Sequence, residues 1–464
     1  MSSPSGESYR GVSLWWDGLP GPITVRPGLP GDTEVDVAIV GGGLTGLWTA
    51  YYLAGADPSL RIAVLERDVA GFGASGRNGG WCSALFPVSE TALDAQHGPG
   101  SGTKQRLAME ATVDEVGRVV DVEGIDCGFT KGGGVWLART PAQLERDRAG
   151  VVGARARGIG PEDLDELDAA AAAARVGATN VLGGTWTPHV AAVDPARLTR
   201  GMADAVERRG VTVYEQTEVR SISPGRVATA RGTVRATTIV RATEGYTRSL
   251  AGQRREIAPV YSLMIATEPL SDDIWAQIGM ADREVFTDHR HMVIYGQRTE
   301  DGRLAFGGRG APYHFGSAIR PEFDRDDRVH DDLHRTLIDL FPILATTRIT
   351  HRWGGPLGIT RDWNASVGID STTRLAWAGG YVGDGLSTTN LAGRTLCDLI
   401  LGRDSELTAL PWVNHRSRRW EPEPARWLGV NVGLYMAGVA DRTEDGGGSE
   451  PLAAKALRRL TGGG

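Results

Sequence analysis

Residues 35–46 read VDVAIVGGGLTG, and Glu66 closes the strand RIAVLE 20 positions past the last of those glycines. Each part of this stretch answers a separate problem in holding a dinucleotide. Gly41 allows the tight turn from strand to helix, Gly43 lets backbone approach a pyrophosphate, and Gly46 lets the helix lie close on the strand. The helix N-terminus faces the phosphates, and Glu66 is placed to accept a hydrogen bond from a ribose hydroxyl. A bare GxGxxG is weak evidence in a chain with 64 glycines. Here it follows a buried-type strand, opens a helix expected over 44–53, and meets its acid at the expected spacing. The reading is an α/β fold whose first βαβ unit, about 34–66, binds a dinucleotide.

The chain has 464 residues, enough for two domains with substantial cores. A formal net charge of −7 advertises no polyanion-binding surface and argues against nucleic acid as a partner. Three lysines (Lys104, Lys131, Lys455) stand among 50 basic residues, so a mechanism needing an active-site lysine has three candidates. Cys82, Cys127 and Cys397 are scattered and odd in number, which argues for a reducing compartment and against a disulfide framework or zinc site. The N-terminal MSSPSGESYRGVSLWWDG lacks the apolar core of a signal peptide, and its Trp15–Trp16 pair reads as a hydrophobic anchor. No run of ~18 apolar residues offers a membrane span. WLGVNVGLYMAGVA (427–440) is short and glycine-interrupted, and reads as a packed C-terminal helix. A cytoplasmic location is the expectation.

Further along, DVAGFGASGRNGGWC (68–82) is glycine-rich and too long for a simple turn. Residues 90–125 read as helical, GFTKGGGVWLART (128–140) as a strand pair or a bulged strand, and PAQLERDRAGVVGARARG and PEDLDELDAAAAAAR as two helices. Asp194-Pro195 marks a helix start, with Asp as N-cap and Pro at the first helical position, leading into the strand VTVYEQTEV (211–219). The segments YSLMIATEPL, HMVIYGQRTEDGRLAFGGRG and WNASVGI, with the helix DRVHDDLHRTLIDLFP, suggest a mostly antiparallel sheet. The chain then returns to a buried strand, RLAWAGG (374–380), and GGYVGDGLSTTN (379–390) repeats the logic of strand, glycine loop and helix. A contiguous nicotinamide domain needs no such second loop. A helix N-terminus there, with its charge equivalent of about +0.5, favours the anion that forms at the pyrimidine end of a reduced flavin.

These motifs together resemble the D-amino-acid oxidase superfamily of FAD-dependent amine oxidoreductases, over most of residues 34–402. They are VAIVGGGLTGLWTAYYL, GFGASGRNGG, AVDPARL with VTVYEQTEV, IVRATEGYT and GGYVGDGLS, and GASGRNGG is most similar to the γ-glutamylputrescine oxidase branch. The resemblance implies that Gly41, Gly43 and Gly46 hold the pyrophosphate and Glu66 the adenosine ribose. It implies that Ser75, Gly76, Arg77, Asn78, Gly79 and Gly80 line the flavin and pyrophosphate, and that Val219 contacts adenine through its backbone. Gly383, Asp384, Gly385, Leu386 and Ser387 fall at the flavin's pyrimidine edge. Some relatives attach FAD covalently through a histidine after the first βαβ unit or a downstream cysteine. Residues 68–81 contain no histidine and Cys397 lies inside the last helix, so non-covalent FAD is expected.

The family implies oxidation of a C–N bond of a primary or secondary amine. A hydride passes from the carbon bearing the amine to flavin N5, the imine is hydrolysed, and dioxygen is the expected acceptor. An amino-acid dehydrogenase using another electron acceptor, and a non-catalytic flavin-binding protein, are the alternatives. Glycine oxidase-like relatives clamp the substrate carboxylate with an arginine four residues after a tryptophan. Here HRWGGPLGITRDWNASVG (351–368) places Leu357 four after Trp353, which disfavours a simple α-amino acid bound in that manner. Arg309 or Arg352 are the candidate replacements, and Trp353 is itself a candidate active-site residue. GGRGAPYHFGS (307–317) concentrates Arg309, Tyr313 and His314, and reads equally as a substrate wall or as a turn sealing the domain interface. His289 and His291 share one face of an expected strand and read as solvent-exposed. His189, His351 and Lys131 are weaker candidates for approach to the flavin, and no metal site is expected. The organisation expected is a discontinuous Rossmann-like FAD-binding domain (34–90, 190–255, 365–405), with a second, mostly antiparallel substrate domain (91–189, 256–364). A helical tail (406–464) with a glycine-rich, disordered end would follow.

Overall fold

Strand Thr33–Val40 lies at the centre of a sheet, paired in parallel with Ile62–Leu65 on one side and Thr233–Arg241 on the other. The computed structural model describes residues 6–446. Thr212–Tyr214 extends the parallel order beyond Ile62–Leu65, and Leu375–Gly379 extends it beyond Thr233–Arg241. Ser366–Ile369 closes that edge antiparallel. Such strands are buried on both faces, which explains the uninterrupted apolar runs VAIV and IAVL. One face is covered by helices Leu44–Ala56, Ser101–Glu123, Pro195–Arg208 and Gly385–Leu401, whose apolar residues form one core. The other is covered by the antiparallel pair Val219–Ser223 and Arg226–Thr229, with Leu29 and Leu250.

The second sheet has eight strands. In spatial order they are Ile349–Ile359, Ala258–Thr267, Leu304–Arg309, Ile294–Arg298, Val285–Asp288, Gly134–Ala138, Gly183–Thr187 and Asp165–Asp168. Every pairing is antiparallel except that of Val285–Asp288 with Gly134–Ala138. Helix Asp327–Leu340 seats Val329, Leu333, Leu337 and Leu340 against it, a single stripe at helical spacing. The ribbon of Trp81–Ser83 with Val190–Ala192 lies between the two sheets in sequence and carries Trp81 beside the second.

Several local expectations meet their physical cause directly. Asp194 caps its helix by accepting from the amides of Ala196 and Arg197, both at 3.0 Å, with Pro195 at the first position. Trp15 and Trp16 are buried in the short helix Leu14–Asp17. Others are corrected. DELD, read as helix, is the edge strand Asp165–Asp168, because pairing with Gly183–Thr187 overrides its propensity. The helix expected over 90–125 is two, Glu90–His97 and Ser101–Glu123, broken at Gly98 and Gly100, which both have positive φ. VTVYEQTEV is not one strand: it ends at Tyr214, turns at Gln216 (φ 52°), and Val219 opens the next. Ser101–Glu123, expected with the substrate domain, packs through Met109, Val113 and Val116 into the core of the first sheet. The tail forms helix Ala425–Asp445, and the disordered end expected after it lies outside the described residues.

The tightest crossing is between helices Leu44–Ala56 and Gly385–Leu401. A Cβ on Gly393 would stand 2.6 Å from Trp48 Cβ and 2.7 Å from the Trp48 carbonyl carbon, and Trp48 is fully buried. Backbone has no alternative rotamer to retreat into. Gly393→Ala is therefore expected to destabilise by about 1–3 kcal/mol through overpacking, despite alanine's better helix propensity. A thermal melt checks it, and an unchanged midpoint would refute the close-contact argument.

Candidate active site

The carboxyl ends of the central parallel strands open into a cleft with about 1850 Å³ of space between protein atoms, part of it open to solvent. Open α/β sheets place their ligands at this end. Glu66, Arg67, Thr217, Glu218 and Val219 line one extremity. The middle is formed by Gly41, Gly43, Leu44 and Thr45 at the start of the first helix, and by Ser75, Arg77, Asn78 and Gly79. Beyond them lie Gly383, Asp384, Gly385 and Leu386, at the start of helix Gly385–Leu401. The two helix starts meet across the cleft, where the Tyr381 hydroxyl lies 2.9 Å from Thr45 Oγ1.

Residues Gly46, Gly76, Gly80 and Ser387, expected with this group, stand behind the lining. A Cβ on Gly46 would lie 2.1 Å from the Gly41 carbonyl oxygen, so its role is close packing of helix on turn. Gly41 itself has φ +112°, a region that disfavours side chains, and a Cβ there would meet Ala242 O at 2.3 Å. Ser387 donates to the carbonyl of Ser83.

The loop 73–80 is pinned at many points. Ser75 Oγ accepts from the Leu44 amide at 2.9 Å, capping the first helix from outside it. Asn78 donates back to Ala74 and Ser75 and accepts from the Gly80 amide. Arg77 is buried, donating to Asp324 (2.6 Å), the Tyr246 hydroxyl (2.7 Å) and the Gly354 carbonyl (3.1 Å). Trp353, expected near the substrate, donates from Nε1 to the Arg77 carbonyl at 2.9 Å and lies outside the cleft lining. It fixes the loop.

Glu66 accepts from the Gly42 amide at 2.8 Å and, through its other oxygen, from the Asp68 amide at 2.9 Å. Each oxygen retains a lone pair for a hydroxyl donor. Burial pushes this carboxyl up to about 7, against the pull of the two amides. Glu244 went unnoticed in the sequence. It too lines the cleft, adopts φ +41°, and accepts from the Gly380 (2.9 Å) and Tyr381 (3.2 Å) amides. Burial raises it to about 7 as well. An acid just past the end of a parallel strand, inside IVRATEGYT, was the signal available.

The second sheet supplies the far wall through Ser262, Met264, Val293, Tyr295, Gly355 and Leu357, with Trp81 beside them. The Tyr295 hydroxyl and Ser262 Oγ are 3.0 Å apart. Their positions depend on strand pairings between distant segments, which a linear reading does not supply. Strand pairing sets Arg309 opposite Ser262. Tyr313 and His314 are not brought to this wall, because the chain turns away at Gly310 (φ 141°) toward the tail. The Tyr313 hydroxyl is 2.7 Å from Ser317 Oγ and 2.9 Å from Glu423, and His314 stacks on Phe323.

His189 pairs with Asp163, His351 with Asp17, and Lys131 with Asp114, all away from the lining. His289 and His291, read as exposed strand residues, are partly buried in a connection between strands and pair with Asp147 and Glu444. Among the described residues no group of three or more His, Cys, Asp or Glu is arranged to hold a metal, and no helix is long and apolar enough to cross a membrane.

The sequence profile described as "FAD dependent oxidoreductase" matches residues 36–399. The chain belongs to this family of FAD-dependent oxidoreductases. A γ-glutamylputrescine oxidoreductase of Escherichia coli (strain K12) is 28% identical over 393 residues, covering 82% of this chain and 87% of that one. A glycine oxidase of Bacillus licheniformis is 25% identical over 378 residues, covering 79% and 93%. The crystal structure of glycine oxidase from Geobacillus kaustophilus superposes with a TM-score of 0.67 at 24% identity, over 82% of this chain and 99% of that one, a likeness of fold.

The cleft suits the family's cofactor. Its length carries two helix N-termini, the favoured seats for phosphate and for a developing anion, and a two-oxygen acceptor at the end suited to a diol. A side chain on Gly43 would come within 2.8 Å of Ser75 Oγ, so the backbone there stays bare for close approach. None of the lining residues is histidine or cysteine, and the three cysteines are buried, with their thiols pushed up by burial.

The elevation of Glu66 gives a signed expectation. Without ligand the carboxyl keeps its proton up to about pH 7. A ribose hydroxyl donating to it favours the ionised form, so binding below pH 7 expels a proton. FAD affinity of the apoprotein should then rise roughly fivefold from pH 6 to pH 7 and level off above. Glu66→Gln, which cannot ionise, should bind more weakly and lose this slope even though Glu244 still titrates. Flavin-fluorescence titrations check it, and a wild-type affinity flat across pH 6–8 would overturn the assignment.

Proposed function

We propose that this enzyme oxidises an amine whose reacting carbon bears no carboxylate, with FAD held non-covalently and dioxygen as electron acceptor. The observation that carries this reading is Leu357 in the cleft wall, four residues after Trp353, in a lining whose substrate side also includes Gly355, Met264, Val293 and Tyr295. An arginine there would offer a bidentate fork to a carboxylate beside the amine, and leucine offers only apolar surface. Arg352 does not take over, since it pairs with Asp331 at 3.2 Å outside the lining. Arg309, opposite Ser262 in the ladder, is the candidate contact for an acidic group farther along the substrate. A γ-glutamylated diamine, as in the name of the Escherichia coli relative, is an amine of this kind.

Bound FAD supplies the two-electron acceptor for the hydride leaving the carbon that carries nitrogen. The chain's own part is positioning and exclusion of water. Tyr295 and Ser262 present a hydroxyl pair to the nitrogen, while Leu357, Met264 and Val293 keep the reacting carbon in an apolar wall. Arg77 supports the choice of acceptor: a fixed guanidinium in the cleft wall stabilises negative charge formed beside it. The absence of histidine and cysteine from the lining supports non-covalent attachment.

The test is anaerobic loss of the flavin's visible absorbance across amines, polyamines, γ-glutamylated polyamines, N-methyl amino acids and α-amino acids. Amines without an adjacent carboxylate should bleach it, glycine and alanine should not, and air should restore the colour with formation of peroxide. Bleaching by simple α-amino acids alone would sink the reading. Leu357→Arg should raise kcat/KM for an α-amino acid by roughly tenfold, the worth of a modest charge-assisted pair, and lower it for the best amine.

A further inference from the structure

The tail helix Ala425–Asp445 lies beyond residues 36–399 matched by the family profile, yet it grips the substrate-side wall at two places. Near its C-terminus Asp441 accepts from two successive amides, His291 to Oδ1 at 2.7 Å and Met292 to Oδ2 at 2.8 Å. Glu444, 2% exposed, accepts from Arg146 through both oxygens (2.8 and 2.6 Å) and lies 2.9 Å from His291 Nε2. Arg146 also donates to the His289 carbonyl at 2.7 Å. Toward the other end, Asn431 brackets Tyr313, accepting from its amide and donating to its carbonyl, both at 3.0 Å. Glu423 accepts from the Tyr313 hydroxyl at 2.9 Å and from the Gly316 amide at 3.1 Å.

The gripped segments leave the ends of neighbouring strands. Residues 289–293 connect Val285–Asp288 to Ile294–Arg298, and residues 310–317 follow Leu304–Arg309. The first connection is short and its apex is outside the ladder; the amides of His289 and Arg290 bond to Leu137 and Asp288, and those of His291 and Met292 take their partner from the tail. Immediately after the pair held by Asp441 come Val293 and Tyr295, both in the cleft lining. A carboxylate binding two consecutive amides fixes the peptide plane between them, and with it the direction in which the next side chains leave.

We propose that the tail helix is a specificity element, in which Asp441 and Glu444 act as positioning residues that set Val293 and Tyr295 against the amine. This rests on the reading of the Val293–Tyr295 side as the amine-facing wall. The helix carries no group to the reacting atoms. It sets how much room the wall leaves, so the size of amine accepted depends on a segment beyond the residues matched by the family profile.

The experiment uses the full-chain, FAD-loaded enzyme with Asp441→Asn, which removes one acceptor, and separately Glu444→Gln, which removes the charge facing Arg146 and His291. Hydrogen exchange is followed over 288–296, and flavin reduction is measured with a small and a bulky amine. Expected are exchange in that segment faster by roughly tenfold, unchanged FAD content, KM for the small amine raised several-fold with kcat less affected, and a smaller preference for the small amine over the bulky one. If exchange quickens in both variants while the preference stays that of the wild type, the tail is only a structural strap and the proposal fails. If one variant does not fold, the other decides on the same readouts. A wild type whose flavin no amine reduces would overturn the functional reading and this inference with it. A wild type that responds, with both variants unaltered, would overturn this inference alone.

Discussion

Three consecutive carbonyl groups, those of Arg77, Asn78 and Gly79, are each held by a side chain from a different region of the chain. The Trp353 indole takes the first at 2.9 Å, the Trp15 indole the second at 2.8 Å, and the Gln297 amide the third at 2.6 Å. The loop that bears them has almost no ladder of its own. Each bond is worth only about 1 kcal/mol net, but a carbonyl left dry and unpaired here would cost more, so the three hold or fail together. Their donors come from the N-terminal arm and from two strands of the second sheet, which ties both sheets to one loop. That loop in turn caps the first helix through Ser75 and carries Arg77 into the cleft. The cofactor cleft and the substrate wall share this one seam.

Charge in the cleft follows from the same economy of donors. Glu66 and Glu244 each stand just past the end of a parallel strand, and each is held by hydrogen bonds from backbone amides, with Arg67 and Arg241 adding only a smaller pull. Amides stabilise a carboxylate without neutralising it, so burial still raises both toward 7. Arg77 is the opposite case. Its guanidinium is engaged on all three nitrogens by Gly73, Asp324, Gly354 and Tyr246, so both arms of the fork are already committed. A carboxylate on the substrate gains little from a donor already engaged. This agrees with the apolar character of Leu357 on the same side.

The cofactor half of the molecule was legible because its ligand dictates local patterns. A strand, a glycine turn, a helix and an acid are all within 35–66, and their physics is short-range. The helix capped by Asp194 was legible for the same reason. Legibility ended where contacts joined distant segments. Trp353 read as a site residue from its place four positions before Leu357, and only the bond from its indole to the Arg77 carbonyl, 276 positions away, shows that it holds the loop. DELD read as helix since its propensity is local and its strand partner is not. Tyr313 and His314 follow a strand whose end borders the cleft, and one left-handed glycine, Gly310, sends them elsewhere.

The tail shows why the substrate is harder to read than the cofactor. FAD presents one shape to every member of the family, and the glycine-turn and strand-end patterns that the sequence offers for it all lie within the matched residues 36–399. The substrate wall is built from side chains two or more strands apart, among them Met264, Val293, Tyr295 and Leu357, and no short pattern contains them. Their exact placement is delegated further still, to carboxylates on a helix beyond the residues matched by the family profile. A device of that kind can change with little disturbance to the cleft, since Asp441 and Glu444 touch the His291 and Met292 amides and the Arg146 and His291 side chains, none of them in the lining.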